Sequence, residues 1–190
     1  KKKQKINLLF DNQKIKRNKN FSEDCWTVRI VDTGLNTQTG GRIKKIKNFI
    51  TEENFFMTYG DGLSNVNIKR VYDFHIKNKK YATVTTINPQ SKFGSIKIDK
   101  NDYVSNFSEK PIVKEWINGG FFVLNKKVFE FIDNYNVPWE NVPLKRLTNL
   151  KQLKAYKHKG FWKAMDTLKD KIEMNKIWKK GAAPWKIWDK

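Results

Sequence analysis

The apolar run "NFFMTY" (54–59) ends abruptly in "GDG" (60–62), and this junction constrains the fold more than any other segment. A short apolar run bounded by glycine is typical of a buried β-strand. The next segment, "SNVNIKRVYDFHIKNKK" (64–80), carries apolar residues at helical spacing. A strand, a tight turn and a helix in succession predict an α/β layer fold, with Asp61 at the C-terminal end of the strand.

The other segments alternate in a similar way. The patterns predict strands in "CWTVRIVDTG" (25–34), "YATVTTI" (81–87) and "INGGFFVL" (117–124), and a hairpin in "FGSIKIDKNDYVSNFSEKP" (93–111). A capping-box spacing predicts a last helix after residue 167, and "LNTQTGGRIKK" (35–45) is expected to be a loop. The sheet is expected to be mostly parallel, and the inserted hairpin makes it mixed. A length of 190 residues suits a single domain, 1–190.

The net charge of +20 admits two interpretations. A basic surface would bind nucleic acid or phosphate-bearing ligands. However, only five of the 39 basic residues are Arg, and the lysines are spread along the chain with many Asn, Ile and Phe, as an A/T-rich genome would produce. This second interpretation is favoured, so a nucleic-acid partner is not expected. The single cysteine, Cys25, predicts a reducing, cytoplasmic location, and no apolar run long enough to cross a membrane occurs.

Asp61 has two interpretations. Asp-Gly is a strong hairpin-turn signal, but the helical pattern that follows makes a hairpin less favourable. Otherwise Asp61 lies where open α/β sheets bind ligands, and flanking glycines let a bulky anion approach the backbone. A carboxylate beside phosphates needs a cation between them, and Mg²⁺ suits that arrangement. Asp61 is therefore a candidate Mg²⁺ ligand.

Asp166 precedes the last helix in "FWKAMDTLKD" (161–170). An acid there commonly stabilises the helix dipole, and the sequence alone favours that role over a second metal ligand. In "SNFSEKPIVKEWINGGFF" (105–122), Lys110 suits a phosphate, whereas Glu109 and Asn118 suit hydroxyl groups. A polar hairpin end and a glycine bulge would explain the same residues.

The segment "TQTGGR" (37–42) offers two glycine N–H groups beside Arg42, which makes it either an anion-binding nest or a simple turn. The two histidines, His75 and His158, lie far from each other and from Cys25 along the chain. No metal-ligand spacing and no nucleophile–histidine arrangement is indicated, so covalent catalysis has little support.

Taken together, several segments resemble the glucose-1-phosphate cytidylyltransferase family of sugar nucleotidyltransferases. These segments are "VDTGLNTQTGGR", "FMTYGDG", "FHIKNKKYATVT", "FGSIKID", "FSEKP", "WINGGFFVLN", "GFWKAMDTLKDK" and "KKGAAPWKIW". The resemblance implies a Rossmann-like, three-layer α/β/α fold. It also implies a reaction of CTP with α-D-glucose 1-phosphate that gives CDP-glucose and pyrophosphate, for CDP-derived deoxysugars of O-antigen.

The resemblance further implies roles for individual residues. Asp61 and Asp166 would bind Mg²⁺, and Lys110 would contact the sugar phosphate. Nucleotide contacts are implied at Thr37, Arg42 and Gly60, and glucose contacts at Glu109 and Asn118.

The chain departs from the family in one respect. The family has a Gly-rich G-G-x-G-T-R loop followed by a Lys-Pro segment, and neither occurs in these 190 residues. We therefore expect a C-terminal portion of the enzyme that lacks the first βα units and is inactive alone. Two alternative functions remain open: a related transferase that uses UTP or dTTP, and a noncatalytic basic module that binds nucleotides or nucleic acid. A homo-oligomer also remains open.

Overall fold

The structure is a computed structural model that describes residues 4–10 and 22–188. The chain divides into two compact units, which are described separately. The first comprises Lys1–Thr51 with Ile132–Pro143, and the second comprises Glu52–Phe131 with Leu144–Lys190. A single domain over 1–190 stays a prediction.

In the first unit, the strand β1 (Gln4–Phe10) pairs in parallel with β2 (Ser22–Ile30), which confirms the strand predicted in 25–34. The helix α1 (Thr39–Lys45) and a 3₁₀ turn (Lys47–Phe49) follow.

The loop predicted around "TGGR" is wrong, because Gly40 and Gly41 lie inside α1 and are buried. A Cβ at Gly40 would lie 2.6 Å from the Val137 carbonyl oxygen, and one at Gly41 would collide with the backbone of Tyr135. The two glycines therefore permit close backbone packing in this unit, at some cost in helix propensity.

The second unit is built on a four-stranded mixed sheet. Its order is β3 (Asn54–Thr58), β8 (Ile117–Asn125), β5 (Ala82–Ile87) and β9 (Leu153–Lys157). β8 runs antiparallel to both β3 and β5, whereas β9 is parallel to β5. The mixed α/β sheet is thus confirmed, but two of its three described pairings are antiparallel. The expectation of mostly parallel pairing is corrected here, because β8 inserts between β3 and β5.

Burial follows the position of each strand in that sheet. Every residue of β5 is buried, and Phe122, Val123 and Leu124 of β8 are almost inaccessible to solvent. The helix α2 (Ile68–Asn78) packs on β5, β8 and β9 and buries Val71 and His75. Asn67 caps its first turn by accepting a hydrogen bond from the Arg70 N–H at 2.9 Å.

The rest of the second unit is short elements around this sheet. A hairpin is formed by β6 (Ser95–Ile98) and β7 (Val104–Ser108), as predicted. A two-stranded ladder joins β4 (Gly62–Ser64) to β10 (Trp162–Ala164). The 3₁₀ segment Lys126–Phe131 follows β8, and α3 (Val142–Asn149), which belongs to this unit from Leu144 onward, precedes β9. The last helix, α4 (Leu168–Lys179), begins with the predicted capping box.

Candidate active site

The two candidate metal-ligand carboxylates are brought together by the β4–β10 ladder. Gly62 pairs with Ala164 in antiparallel register, and the Met165 N–H donates to the Asp61 carbonyl oxygen at 2.9 Å. Asp61 directly precedes β4 and Asp166 lies two residues beyond β10, so both emerge at the same end of the ladder. Both line one cleft of about 220 Å³. Its lining is Tyr59, Asp61, Gly62, Asn118, Gly119, Gly120, Trp162, Ala164 and Asp166.

The turn that carries Asp61 differs in one respect from the prediction. β4 stands between the turn and α2, so the helix does not follow directly. β4 pairs with β10 and not with β3, which agrees with the expectation that a hairpin at Asp61-Gly62 is less favourable. Gly60 has open space where a side chain would project. Its neighbours therefore leave room for a ligand to approach the backbone there.

Asn118 is held in the cleft by its neighbours. Its Oδ1 accepts a hydrogen bond from the Gly120 N–H at 2.9 Å, and its Nδ2 donates to the Tyr59 hydroxyl at 3.2 Å. Trp162 Nε1 donates to the Gly119 carbonyl oxygen at 2.7 Å. These contacts fix the amide that the sequence singled out, at the start of a central strand.

Glu109 and Lys110 follow β7 and are exposed to solvent. Lys110 Nζ lies 3.6 Å from Glu109 Oε1, and the Lys110 backbone has a left-handed φ of 45°. Neither residue is among the described residues that line the cleft. The structure therefore brings Asp61, Asn118 and Asp166 together but leaves this pair outside their cleft.

Thr37 and Arg42 belong to the first unit. The Arg42 guanidinium donates to the Thr33 hydroxyl at 2.6 Å and to the Leu35 carbonyl oxygen at 3.2 Å. The Thr37 hydroxyl donates to the Thr33 carbonyl oxygen and accepts a hydrogen bond from Lys45 Nζ at 3.2 Å. Arg42 and Thr37 are thus ordered by one polar network within that unit.

Three residues of interest were not predicted. Tyr59 and Trp162 orient the Asn118–Gly120 segment, and only their place beside "GDG" and inside "GFWKAMDTL" could have indicated them. Lys92 Nζ lies 3.4 Å from Asp166 Oδ2. No sequence signal distinguishes Lys92 from the other lysines.

The donor set fits a magnesium ion that completes its coordination with other ligands. Asp61 and Asp166 are exposed acids at the rim of an open cleft. No cluster of three or more His, Cys, Asp or Glu suited to a metal ion occurs within the described part of the chain. Mg²⁺ commonly binds through one or two carboxylates and takes its other ligands from water and substrate phosphates.

A mixed α/β sheet beside one cleft lined by two carboxylates and three glycines defines an α/β protein with an acidic surface site. The chain belongs to the nucleotidyl transferase family, whose model matches residues 5–179. None of the helices in the described ranges has the length and hydrophobicity needed to cross a bilayer.

The resemblance to cytidylyltransferases is confirmed by sequence. The chain is 45% identical over 166 residues to the glucose-1-phosphate cytidylyltransferase of Salmonella typhi, covering 86% of this chain and 64% of that protein. It is 41% identical over 166 residues to the probable glucose-1-phosphate cytidylyltransferase of Bacillus subtilis, covering 87% of this chain and 65% of that protein. The chain therefore spans just under two thirds of the length of these relatives.

Solved structures confirm the fold. HddC from Yersinia pseudotuberculosis superposes with a TM-score of 0.60 at 20% identity, over 82% of this chain and 68% of that one. A UDP-glucose pyrophosphorylase solved with UDP-glucose gives a TM-score of 0.60 at 18% identity, over 83% of this chain and 67% of that one.

Proposed function

We propose that the protein transfers a cytidylyl group from CTP to α-D-glucose 1-phosphate and releases CDP-glucose and pyrophosphate. The observation that carries this proposal is the convergence of Asp61 and Asp166, 105 residues apart, on one cleft beside Asn118. The similarity to cytidylyltransferases supports the choice of base and sugar.

In this proposal, Asp61 and Asp166 are the protein ligands of Mg²⁺. When bound, the ion neutralises phosphate charge and positions the phosphate groups relative to each other. The protein contributes two carboxylates at the same end of the β4–β10 ladder, which would hold the ion beside the phosphates. Placing both ligands on hydrogen-bonded backbone limits the reorganisation that binding requires.

The transfer needs no covalent intermediate on the protein. An oxygen of the glucose phosphate attacks the α-phosphorus of CTP, the bond from that phosphorus to the bridging oxygen breaks, and pyrophosphate leaves with the bonding electrons. Asn118 and Glu109 would orient the sugar hydroxyls, and Lys110 would hold the sugar phosphate as a point charge. Thr37, Arg42 and Gly60 would contact the nucleotide. Holding both anions in line supplies most of the catalysis.

Several features support these assignments. The Asn118 amide is fixed by the Gly120 N–H and the Tyr59 hydroxyl, so its direction is set before the sugar binds. Gly60 leaves open space beside Asp61 for a nucleotide. The predicted cytoplasmic location stays part of the proposal, since that compartment would hold both phosphorylated substrates.

The test is a direct assay of the protein with glucose 1-phosphate, Mg²⁺ and each of CTP, UTP and dTTP. We expect pyrophosphate release and sugar-nucleotide formation with CTP far above the other two. A preference for UTP or dTTP would assign a different nucleotide to the same site. Salt-sensitive polyanion binding without metal-dependent turnover would overturn the enzymatic function.

A further inference from the structure

We propose that Lys92 is a second phosphate-binding lysine of this site, which pairs with Asp166 until a divalent cation takes that carboxylate. The inference rests on the proposed function, because it assumes that Asp166 binds a metal. Its starting point is the ion pair between Lys92 Nζ and Asp166 Oδ2 at 3.4 Å, which joins side chains 74 residues apart in sequence.

The backbone places Lys92 beside the other candidate phosphate ligand. The Ser91 N–H donates to the Pro111 carbonyl oxygen at 2.8 Å, and a β-bridge joins Gln90 to Ile112. Lys92 directly follows Ser91, and Lys110 directly precedes Pro111. The two lysines therefore extend from adjacent, hydrogen-bonded segments of the second unit.

The lysine that precedes Asp166 by three residues is engaged elsewhere. Lys163 Nζ lies 3.3 Å from Glu173 and 3.4 Å from Asp170, both on α4. Burial lowers the pKa of Lys163, but its hydrogen bonds to Glu173 and Asp170 outweigh burial and raise that pKa overall. Lys163 thus joins β10 to α4, whereas the ammonium of Lys92 lies against a carboxylate that lines the cleft.

The charges make metal and phosphate binding depend on each other. An ammonium group and a divalent cation compete for the same carboxylate, so Lys92 weakens the binding of free metal to Asp166. Once the metal is bound, it repels the ammonium, and the strongest remaining anion is the phosphate monoester of the sugar. The long, flexible side chain of Lys92, 69% exposed, can make that change of partner. Binding of the metal and of the sugar phosphate therefore reinforce each other.

The experiment compares Lys92→Met with Lys69→Met. Lys69 also forms an exposed ion pair, at 2.8 Å with Asp73 on α2, so both variants lose one positive charge and one ion pair. We measure Mn²⁺ binding without substrates by electron paramagnetic resonance, and glucose 1-phosphate binding with Mg²⁺ present by calorimetry. Lys92→Met should bind Mn²⁺ up to about fivefold more tightly and glucose 1-phosphate roughly tenfold more weakly. Lys69→Met should change neither.

Tighter binding of Mn²⁺ together with weaker binding of glucose 1-phosphate distinguishes this role from a structural one. A structural defect would weaken the binding of both ligands. The gain in Mn²⁺ affinity should also vanish when Lys92→Met is combined with Asp166→Asn. Unchanged or weaker Mn²⁺ binding in Lys92→Met would overturn the inference, provided that Asp166→Asn alone weakens Mn²⁺ binding. If neither Asp61→Asn nor Asp166→Asn affects Mn²⁺, the metal site of the proposed function has failed instead.

Discussion

At the scale of single residues, Asp61 and Asp166 matter through charge and position, not through packing. Both are exposed at the rim of the cleft, so replacing either with the isosteric asparagine leaves the packing intact. Asp166→Asn also removes the exposed ion pair with Lys92, which contributes little to stability. We predict that Asp61→Asn and Asp166→Asn each abolish Mg²⁺-dependent CDP-glucose formation and leave the melting temperature almost unchanged. Activity and thermal melting are measured on the same preparations. Near-normal turnover in either variant would contradict a metal site made of these two carboxylates.

Lys110 is predicted to act on the sugar side of the reaction. Lys110→Ala should raise the KM for glucose 1-phosphate much more than that for CTP, because a charge-assisted contact contributes about 1.5–3 kcal/mol. Lys97→Ala on β6 is a suitable control, since it removes an exposed lysine from the same hairpin region. Separate KM determinations for both substrates test the prediction. An effect confined to CTP would assign Lys110 to the nucleotide.

His75 is a buried, hydrogen-bonded residue with no proposed role in catalysis, and its protonation links stability to pH. Asn54 Oδ1 accepts a hydrogen bond from Asn125 Nδ2 at 3.0 Å, so His75 Nε2, 3.2 Å from the same oxygen, carries the proton and donates. His75 Nδ1 then accepts from the Thr83 hydroxyl at 2.9 Å. Burial lowers the pKa of His75 below 6.5, so the neutral ring is the one that this network holds.

The sign of the pH dependence follows from that shift. Because the unfolded chain binds the proton more readily, the stabilisation is complete above pH 6.5 and is lost as the pH falls through the lowered folded pKa. The loss is at most about 1.4 kcal/mol per pH unit. We predict a flatter stability curve between about pH 5 and 7 for His75→Gln than for the wild type. Denaturant unfolding across that range measures it, and parallel curves would show that His75 does not titrate on unfolding.

At the scale of elements, Gly119 allows the backbone of β8 to lie unusually close to that of β5 within the sheet. A Cβ at Gly119 would lie 2.9 Å from the Thr85 carbonyl oxygen, and the β5–β8 register shifts between Val84 and Thr86. Gly120 has a φ of 78° and packs on the Tyr59 ring. The glycine bulge predicted from the sequence is therefore a close approach of two backbones next to the site.

Gly119 and Gly60 form a matched pair for substitution. Gly119→Ala should destabilise the protein by about 1–3 kcal/mol, because the new methyl group meets backbone that cannot move aside. Gly60→Ala should leave the melting temperature unchanged, since nothing in the structure lies within 4 Å of its added Cβ. Thermal melting compares the two variants directly. Equal losses of stability in the two variants would mean that backbone crowding is not the cause of the destabilisation by Gly119→Ala.

The elements also show what a sequence can and cannot predict. The capping box of α4 and the strand before Asp61 follow local rules, and both were predicted. β4 and β10 have three residues each, too few for a periodic pattern, so the ladder that joins Asp61 to Asp166 could not be foreseen. Burial on α4 does not follow from residue type either, since Met174 is buried while Leu168 is 70% exposed. Tertiary contacts decide such cases.

At the scale of the whole molecule, the net charge of +20 must be reconciled with an enzymatic site. The lysines are spread along the entire chain, and the described residues place several of them in ion pairs with acids on α2, α4 and the cleft rim. Such a distribution attracts any polyanion weakly and without a defined footprint. It also raises the local concentration of small phosphorylated anions around the protein.

These two kinds of anion binding differ in their salt dependence, and this difference gives the last prediction. Nucleic acid held only by lysines releases condensed counterions, so its affinity should fall by about a thousandfold or more between 50 and 200 mM salt. CTP and glucose 1-phosphate would be held by a metal, by directed hydrogen bonds and by close-range charges that salt screens less. CDP-glucose formation should therefore persist at 200 mM salt, while fluorescence anisotropy with a labelled duplex shows binding only at low salt. Tight duplex binding that survives 200 mM salt would mean that the basic surface is itself a binding site.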